Sequence, residues 1–254
     1  MLKARVIPCL LLKGGGGLVK TKKFGSPTYI GDPINAVKIY NEKEVDELMF
    51  LDITASKEQR GPNFTFLKDI ATECFIPLCY GGGVTTTDEI RKLLRIGIEK
   101  ISLNSVNFTN PNLISEAAKL FGCSTVVGSI DVKMNLFRKL RVFNSKTRDA
   151  TKLDPVEYAK FLESQGAGEI LVNSVDRDGM LTGYDYELIK KITDAVSIPV
   201  IACGGASKLD DIQRVVKYAG ASAAAAGSIF VYQGGNKGVL INYPNYQQLE
   251  EILN

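Results

Sequence analysis

Gly82-Gly83 and Gly204-Gly205 occupy matching places in two half-chain copies of one pattern. Ile76–Gly83 reads IPLCYGGG, and Ile198–Gly205 reads IPVIACGG. A helical run follows each, carrying Asp88-Glu89-Ile90 or Asp210-Asp211-Ile212, and then an apolar strand that ends in Leu103-Asn104-Ser105 or Ala226-Gly227-Ser228. Glycine lets the backbone approach an oxyanion closely, and a helix start adds free N–H groups and a favourable dipole. Gly82, Gly83, Asn104 and Ser105 therefore form one candidate phosphate cradle, and Asp178, Gly179, Gly204, Gly205, Gly227 and Ser228 a second. One glycine pair alone would signal only a tight turn. Two matched copies with serine-bearing neighbours point to a ligand with two phosphates or an equivalent pair of anionic ends.

Proton transfer has fewer candidates. The chain contains no histidine, so acid–base work falls to Asp, Glu, Lys, Tyr or Cys, and a zinc site is not expected. Gly14–Gly17 precedes Lys20, Lys22 and Lys23, but Val19 stands where a P-loop needs glycine before its lysine. This segment reads either as a mobile flap bringing lysines to an anion or as a plain surface loop. Arg5, Glu47, Lys100 and Glu169 each open an otherwise apolar strand. Pointing inward they would form a neutral ring, because isolated buried charges are too costly. Such a ring could be a structural salt-bridge layer or a polar gate across a barrel axis.

The elements that must hold these groups alternate. Apolar strands are expected near residues 4–12, 47–53, 76–81, 99–104, 124–131, 169–175, 198–203 and 222–227. Amphipathic helices intervene, such as Asp88–Ile96, Leu113–Phe121 and Pro155–Gln165, with a last one near Tyr246–Leu253. Strand–turn–helix repetition of this kind builds a parallel sheet, and about 250 residues is the usual size of a (βα)8 barrel. We expect one domain over residues 1–254, made of half-barrels at about 1–122 and 123–254. The 31 basic and 28 acidic residues are too balanced to argue for nucleic acid. No apolar run reaches the ~20 residues that cross a bilayer. The five cysteines form no CxxC pair, which suggests reduced thiols and a cytoplasmic protein. Active sites of such barrels lie at the strand C-termini, which here carry Leu11, Asp52, Asp131 and Asp176 besides the cradles.

LDITAS at 51–56, GGG at 81–83, LNS at 103–105, SIDVK at 129–133, GAGEILVNSVDRDG at 166–179 and IACGGA at 201–206 resemble the cyclase subunit of imidazole glycerol phosphate synthase. The similarity runs in register over almost the whole chain, and the DRDG and GAGEI blocks are its specific parts. It implies a (βα)8 barrel with a glutaminase subunit docked on the bottom, N-terminal face. Ammonia would pass through the barrel to a bisphosphate at the top, with no cofactor and no metal. Arg5, Glu47, Lys100 and Glu169 match the family's gate, and the two glycine cradles match its phosphate sites. Catalysis in the family rests on two aspartates, on the first and fifth strands. Asp131 matches the second of these, but the first is replaced by Leu11, and no acid stands between Met1 and Asp32. Asn173 and Cys203 replace an expected Thr and Ser, while Lys20, Asp52 and Asp176 remain candidates around the site.

RVIPCLLLKGGGGLVKT at the start and VLINYP at 239–244 resemble a paralogous branch tied to bacterial surface polysaccharides. That branch implies a glutaminase partner and an ATP-dependent sugar amidotransferase that turns an N-acetyl group into an acetamidino group. Three functions are consistent with the sequence: an ammonia-channelling subunit of such a system, a histidine-pathway cyclase with a substituted acid, and a non-catalytic phosphate-binding scaffold. Loss of one carboxylate with retention of the four ring charges favours the first.

Overall fold

The computed structural model describes residues 4–14, 16–233 and 238–253. Gly15 of the glycine run lies outside them. Eight parallel strands form the centre: β1 (Arg5–Leu12), β2 (Leu48–Asp52), β3 (Leu78–Gly81), β4 (Lys100–Leu103), β5 (Val126–Met134), β6 (Glu169–Ser174), β7 (Val200–Cys203) and β8 (Ala223–Ala226). Each pairs with the next, and β8 pairs with β1, so the sheet closes into a barrel. All eight strands fall where the apolar runs place them.

Helices follow the strands: α1 (Pro33–Glu42), α2 (Phe64–Glu73), α3 (Thr87–Arg95), α4 (Leu113–Phe121), α5 (Pro155–Ser164), α6 (Tyr186–Thr193), α7 (Leu209–Lys217), the short α8 (Ser228–Val231) and α9 (Tyr246–Leu253). Their starts are written in the sequence. Asp32 and Asp154 cap α1 and α5 through their carboxylates, each followed by proline at the first helical position. Thr86 and Glu89 cap α3 reciprocally. The apolar faces of these helices meet the outward faces of the strands in one continuous core, in which Tyr40, Tyr80 and Tyr184 are almost wholly buried. Each of the three phenols donates to a backbone carbonyl: Phe230, Gly82 and Ala225 respectively. A buried hydroxyl so paired avoids the desolvation cost of an orphan.

Inside the barrel a second, smaller cluster holds Ile7, Cys9, Met49, Cys79, Val127, Leu171, Ile201, Cys203, Ala223 and Ala225. Strand register stacks these side chains in layers along the axis. The long connections carry structure that the sequence reading lacked. Leu18–Lys20 pairs with β1 and with Thr28–Gly31, and β5 runs on to Met134 to form a hairpin with Leu140–Asn144. The stretch from Leu18 to Gly31 is therefore folded onto the barrel rather than a free loop. Lys23 N–H donates to Asp178 O at 2.9 Å, and Thr21 Oγ1 donates to the Asp178 carboxylate at 3.2 Å. Among the described residues no helix is long and apolar enough to cross a membrane.

Candidate functional site

A deep cavity opens at the C-terminal ends of the barrel strands. Gly82, Gly83, Asn104 and Ser105 line one side of it, and Asp178, Gly179, Gly204, Gly205, Gly227 and Ser228 line the other. Lys20, Asp52, Asp131, Asn173 and Leu11 lie between them. Asp176 does not line this cavity. Its carboxylate instead accepts from Met134 N–H at 2.8 Å and fastens the hairpin to the barrel.

The glycines hold backbone that other residues resist. Gly82 sits at φ +124, and a Cβ there would come within 2.5 Å of Asp52 O. Gly204 and Gly205 sit at φ +88 and +110. Gly227 packs so closely against Lys20 Nζ and Cys9 O that a side chain would expel the lysine. The short helices that begin at Ser105 and Ser228 carry no side-chain cap, so both start with free N–H groups. These two uncapped starts occupy matching positions in the half-chain repeats. Each lies beside a glycine pair, as an anion cradle requires.

The acids differ sharply in availability. Asp52 Oδ1 accepts from Thr54 N–H, the Thr54 hydroxyl and Ala55 N–H, while Oδ2 takes the Arg60 guanidinium at 3.0 Å. It is committed to shaping its own loop. Asp131 is 7% exposed and accepts from Asn104 Nδ2 at 2.8 Å. Burial pushes its carboxyl up to about 7 against that hydrogen bond, and nearby Asp178 adds to the rise. Asp178 is likewise raised by burial, which Lys20 and Thr21 only partly offset. Lys20 is buried as well; burial lowers its pKa, and its ammonium donates to Cys9 O at 2.9 Å. Leu11 and Leu51 sit opposite each other on β1 and β2, where the second half of the chain sets Asp131 beside Asn173. In this layer of the mouth the first two strands thus present leucines where the fifth and sixth present Asp131 and Asn173.

At the opposite end of the barrel the four strand-opening charges meet. Arg5 bonds Glu47 and Glu169, and Lys100 bonds Glu47 at 2.8 Å and Glu169 at 3.0 Å. The result is a closed, alternating ring. Burial opposes the charge on Arg5, yet Glu169 and Glu47 outweigh it and hold its pKa above the ordinary value. Lys100 behaves in the same way. Cys79 lies inside the barrel between ring and cavity, and the mutually hydrogen-bonded hydroxyls of Ser102 and Ser129 line the cavity itself. These serines, with Ser145, Lys57 and Arg60, were not singled out by sequence. The period-two alternation inside β4 and β5 could have flagged the two lumen serines.

Fold and cavity together define a (βα)8-barrel protein with its candidate site at the C-terminal mouth. The family model described as "Histidine biosynthesis protein" matches residues 5–236, and the chain belongs to that family. A Pseudomonas aeruginosa protein provisionally named imidazole glycerol phosphate synthase subunit hisF2 is 46% identical over 250 residues, covering 98% of this chain and 99% of the relative. A Leptospira interrogans protein provisionally named imidazole glycerol phosphate synthase subunit HisF is 45% identical over 253 residues, covering 99% of each. A Vibrio vulnificus protein provisionally named subunit hisF3 of the same enzyme is 43% identical over 254 residues, covering 100% of this chain and 97% of the relative. The barrel is accordingly of the cyclase-subunit type of the imidazole glycerol phosphate synthase family.

Proposed function

We propose that this chain is the barrel subunit of a glutamine-dependent amidotransferase complex. It receives ammonia from a glutaminase docked on the N-terminal face and passes it through the lumen to the top. There it serves acetamidino-sugar formation in surface-polysaccharide biosynthesis by an ATP-dependent sugar amidotransferase. The observation that carries this reading is the mismatch between the two ends of the barrel. The charged ring is intact, with four ion pairs, while the cavity that Asp131 lines has Leu11 where cyclisation needs a second acid. Leucine moves no proton, and loss of an acid–base group typically costs on the order of 10²- to 10⁴-fold in rate. Asp52 offers no replacement, because both of its oxygens are engaged.

In this function Arg5, Glu47, Lys100 and Glu169 act as the gate, admitting neutral ammonia and excluding bulk ions. The two glycine cradles bind a phosphorylated small molecule whose presence signals that ammonia is wanted. A reconstituted system tests this by comparing glutamine-derived transfer with transfer driven by ammonium salt. Lys100→Ala should reduce the first and spare the second, and unaltered glutamine-derived transfer would refute the gate.

A second reading is the histidine-pathway cyclase. It is favoured by one specific observation: Asp178, buried close enough to raise the Asp131 carboxyl, could supply the missing carboxylate. It predicts cyclase turnover from ammonium salts that Asp178→Asn abolishes.

A further inference from the structure

β5 runs past the cavity and turns back through residues 135–139 into Leu140–Asn144. The turn is tied from inside. Asn135 Oδ1 accepts from Phe137 N–H at 3.0 Å and Lys139 N–H at 2.9 Å, and Asn135 N–H donates to Lys139 O at 2.9 Å. Asp176 pins its base through Met134 N–H. Yet this well-held tip buries none of its own apolar side chains: Leu136 is 99% exposed, Phe137 83% and Met134 48%. Apolar residues scattered singly over a surface are ordinary, but a group held out on one fixed turn marks a contact surface. Charge gathers at the same place. Residues 133–152 contain seven cations and one acid, Asp149, although the whole chain carries a net charge of only +3. Arg138, Lys139, Lys146 and Lys152 are exposed and form no ion pair among the described residues. Methionine, an aromatic ring and arginine are the residue types enriched in protein interfaces, and unpaired cations around them call for an acidic rim on the other side. The hairpin also stands at the edge of the cavity. Ser145 and Lys146 line it, and Arg148 Nη1 donates to the backbone oxygen of Phe24, another lining residue, at 3.1 Å.

We propose that this hairpin tip docks the enzyme that consumes the ammonia, through an acidic surface of that enzyme with an apolar pocket for Leu136 and Phe137. The docking deepens the proposed conduit and rests on it. Ammonia released into water at neutral pH takes up a proton, and its lone pair is then no longer free to attack. A consumer seated on the tip stands beside the C-terminal mouth and receives the ammonia before that happens. The glutaminase of the same proposal sits at the other end of the barrel, so the two partners do not compete for one face. An anionic membrane would also answer the positive charge, but it would set no acceptor for ammonia at the exit. The fixed turn favours binding because its two apolar side chains are already presented, and little chain order has to be gained on docking. Arg138 stands at φ +57, where glycine or asparagine would be the easier residue, so the tip carries its cation at some backbone cost.

The test uses the complex of this chain with its glutaminase, and the probe is the ATP-dependent sugar amidotransferase. The photoreactive residue p-benzoylphenylalanine in place of Phe137 should give an adduct with the amidotransferase on irradiation. The same residue in place of Phe75, exposed ahead of β3 at the N-terminal end, should give none with it. Leu136→Asp and Phe137→Asp should each raise the amidotransferase concentration at half-maximal binding about tenfold or more, the scale of a central interface residue. Arg138→Glu with Lys139→Glu should also weaken binding and flatten its dependence on salt. Transfer driven by ammonium salt should be the same in all of these variants. No adduct at position 137, an adduct only with a second copy of the barrel, or half-maximal binding unmoved by the tip variants would overturn the docking surface. So would binding to phosphatidylglycerol vesicles that Leu136→Asp abolishes while amidotransferase binding stays the same. Unmoved binding with transfer still dependent on Lys100 would sink the docking surface alone. Binding that follows the tip variants, with glutamine-derived transfer indifferent to Lys100→Ala, would sink the conduit instead.

Discussion

Asp131→Asn should make the ligand-free protein more stable, and by an amount that grows with pH. In the native state burial raises the Asp131 carboxyl from its ordinary 3.8 to about 7. The folded chain therefore favours the protonated acid, and stability falls as pH rises from the unfolded value through the folded one. Each unit of raised pKa corresponds to about 1.4 kcal/mol, so the wild-type penalty grows by roughly that much per pH unit between pH 4 and 7. Above pH 7 it levels off at about 4 kcal/mol. Asparagine keeps the shape and can still accept from Asn104 Nδ2, but carries no charge to desolvate. Urea unfolding of both proteins at one-unit steps from pH 4 to 9 measures the difference directly. A gap that opens with pH and then flattens near pH 7 is expected. A gap independent of pH, or a variant less stable at pH 8 than at pH 5 relative to wild type, would show that Asp131 is not held in a desolvated pocket.

Three other perturbations probe the same architecture. Leu11→Asp sets a second carboxylate into the cavity opposite Asp131 and should push the Asp131 carboxyl further up in a ¹³C titration; an unmoved value would mean that the two positions do not share a cavity. Gly82→Ala forces a Cβ to within 2.5 Å of Asp52 O at φ +124 and should cost about 2 kcal/mol or more in urea unfolding, together with phosphate binding; a cost below about 0.5 kcal/mol would contradict the tight turn. Glu47→Ala leaves Arg5 and Lys100 sharing Glu169 and should lower stability by about 2–3 kcal/mol, with a melting shift of several degrees. A silent substitution would mean that the ring is not a paired layer.

Much of this protein is legible in its sequence because its repeats are local. The runs RVIPCLLL and IPVIACGG are strands before turns by composition alone, and Asp32-Pro33 and Asp154-Pro155 announce helix starts. The strand pairing of the segment after the glycine run was not legible, although a flap was one of its two readings. Its stability comes from Thr21 and Lys23 bonding Asp178, more than half the chain away, and from pairing of a three-residue strand too short to show a period. The fifth strand runs past Asp131 into a hairpin because Leu140–Asn144 pairs with it, which Lys133-Met134-Asn135 does not foretell. Among the acids, strand-end position alone puts Asp52, Asp131 and Asp176 on equal footing, and it is the family resemblance that singles out Asp131. Only three-dimensional packing separates a carboxylate spent on Arg60 and its own loop, one that pins a hairpin, and one left buried in the cavity.

The most direct test is an ammonia-dependent cyclase assay on the purified chain, using the histidine-pathway bisphosphate substrate, with Leu11→Asp and Asp131→Asn alongside. The account predicts binding without turnover in the natural chain, and some turnover regained in Leu11→Asp. Turnover in the natural chain that disappears in Asp131→Asn would contradict it, and would make this barrel a working cyclase whose second acid lies elsewhere.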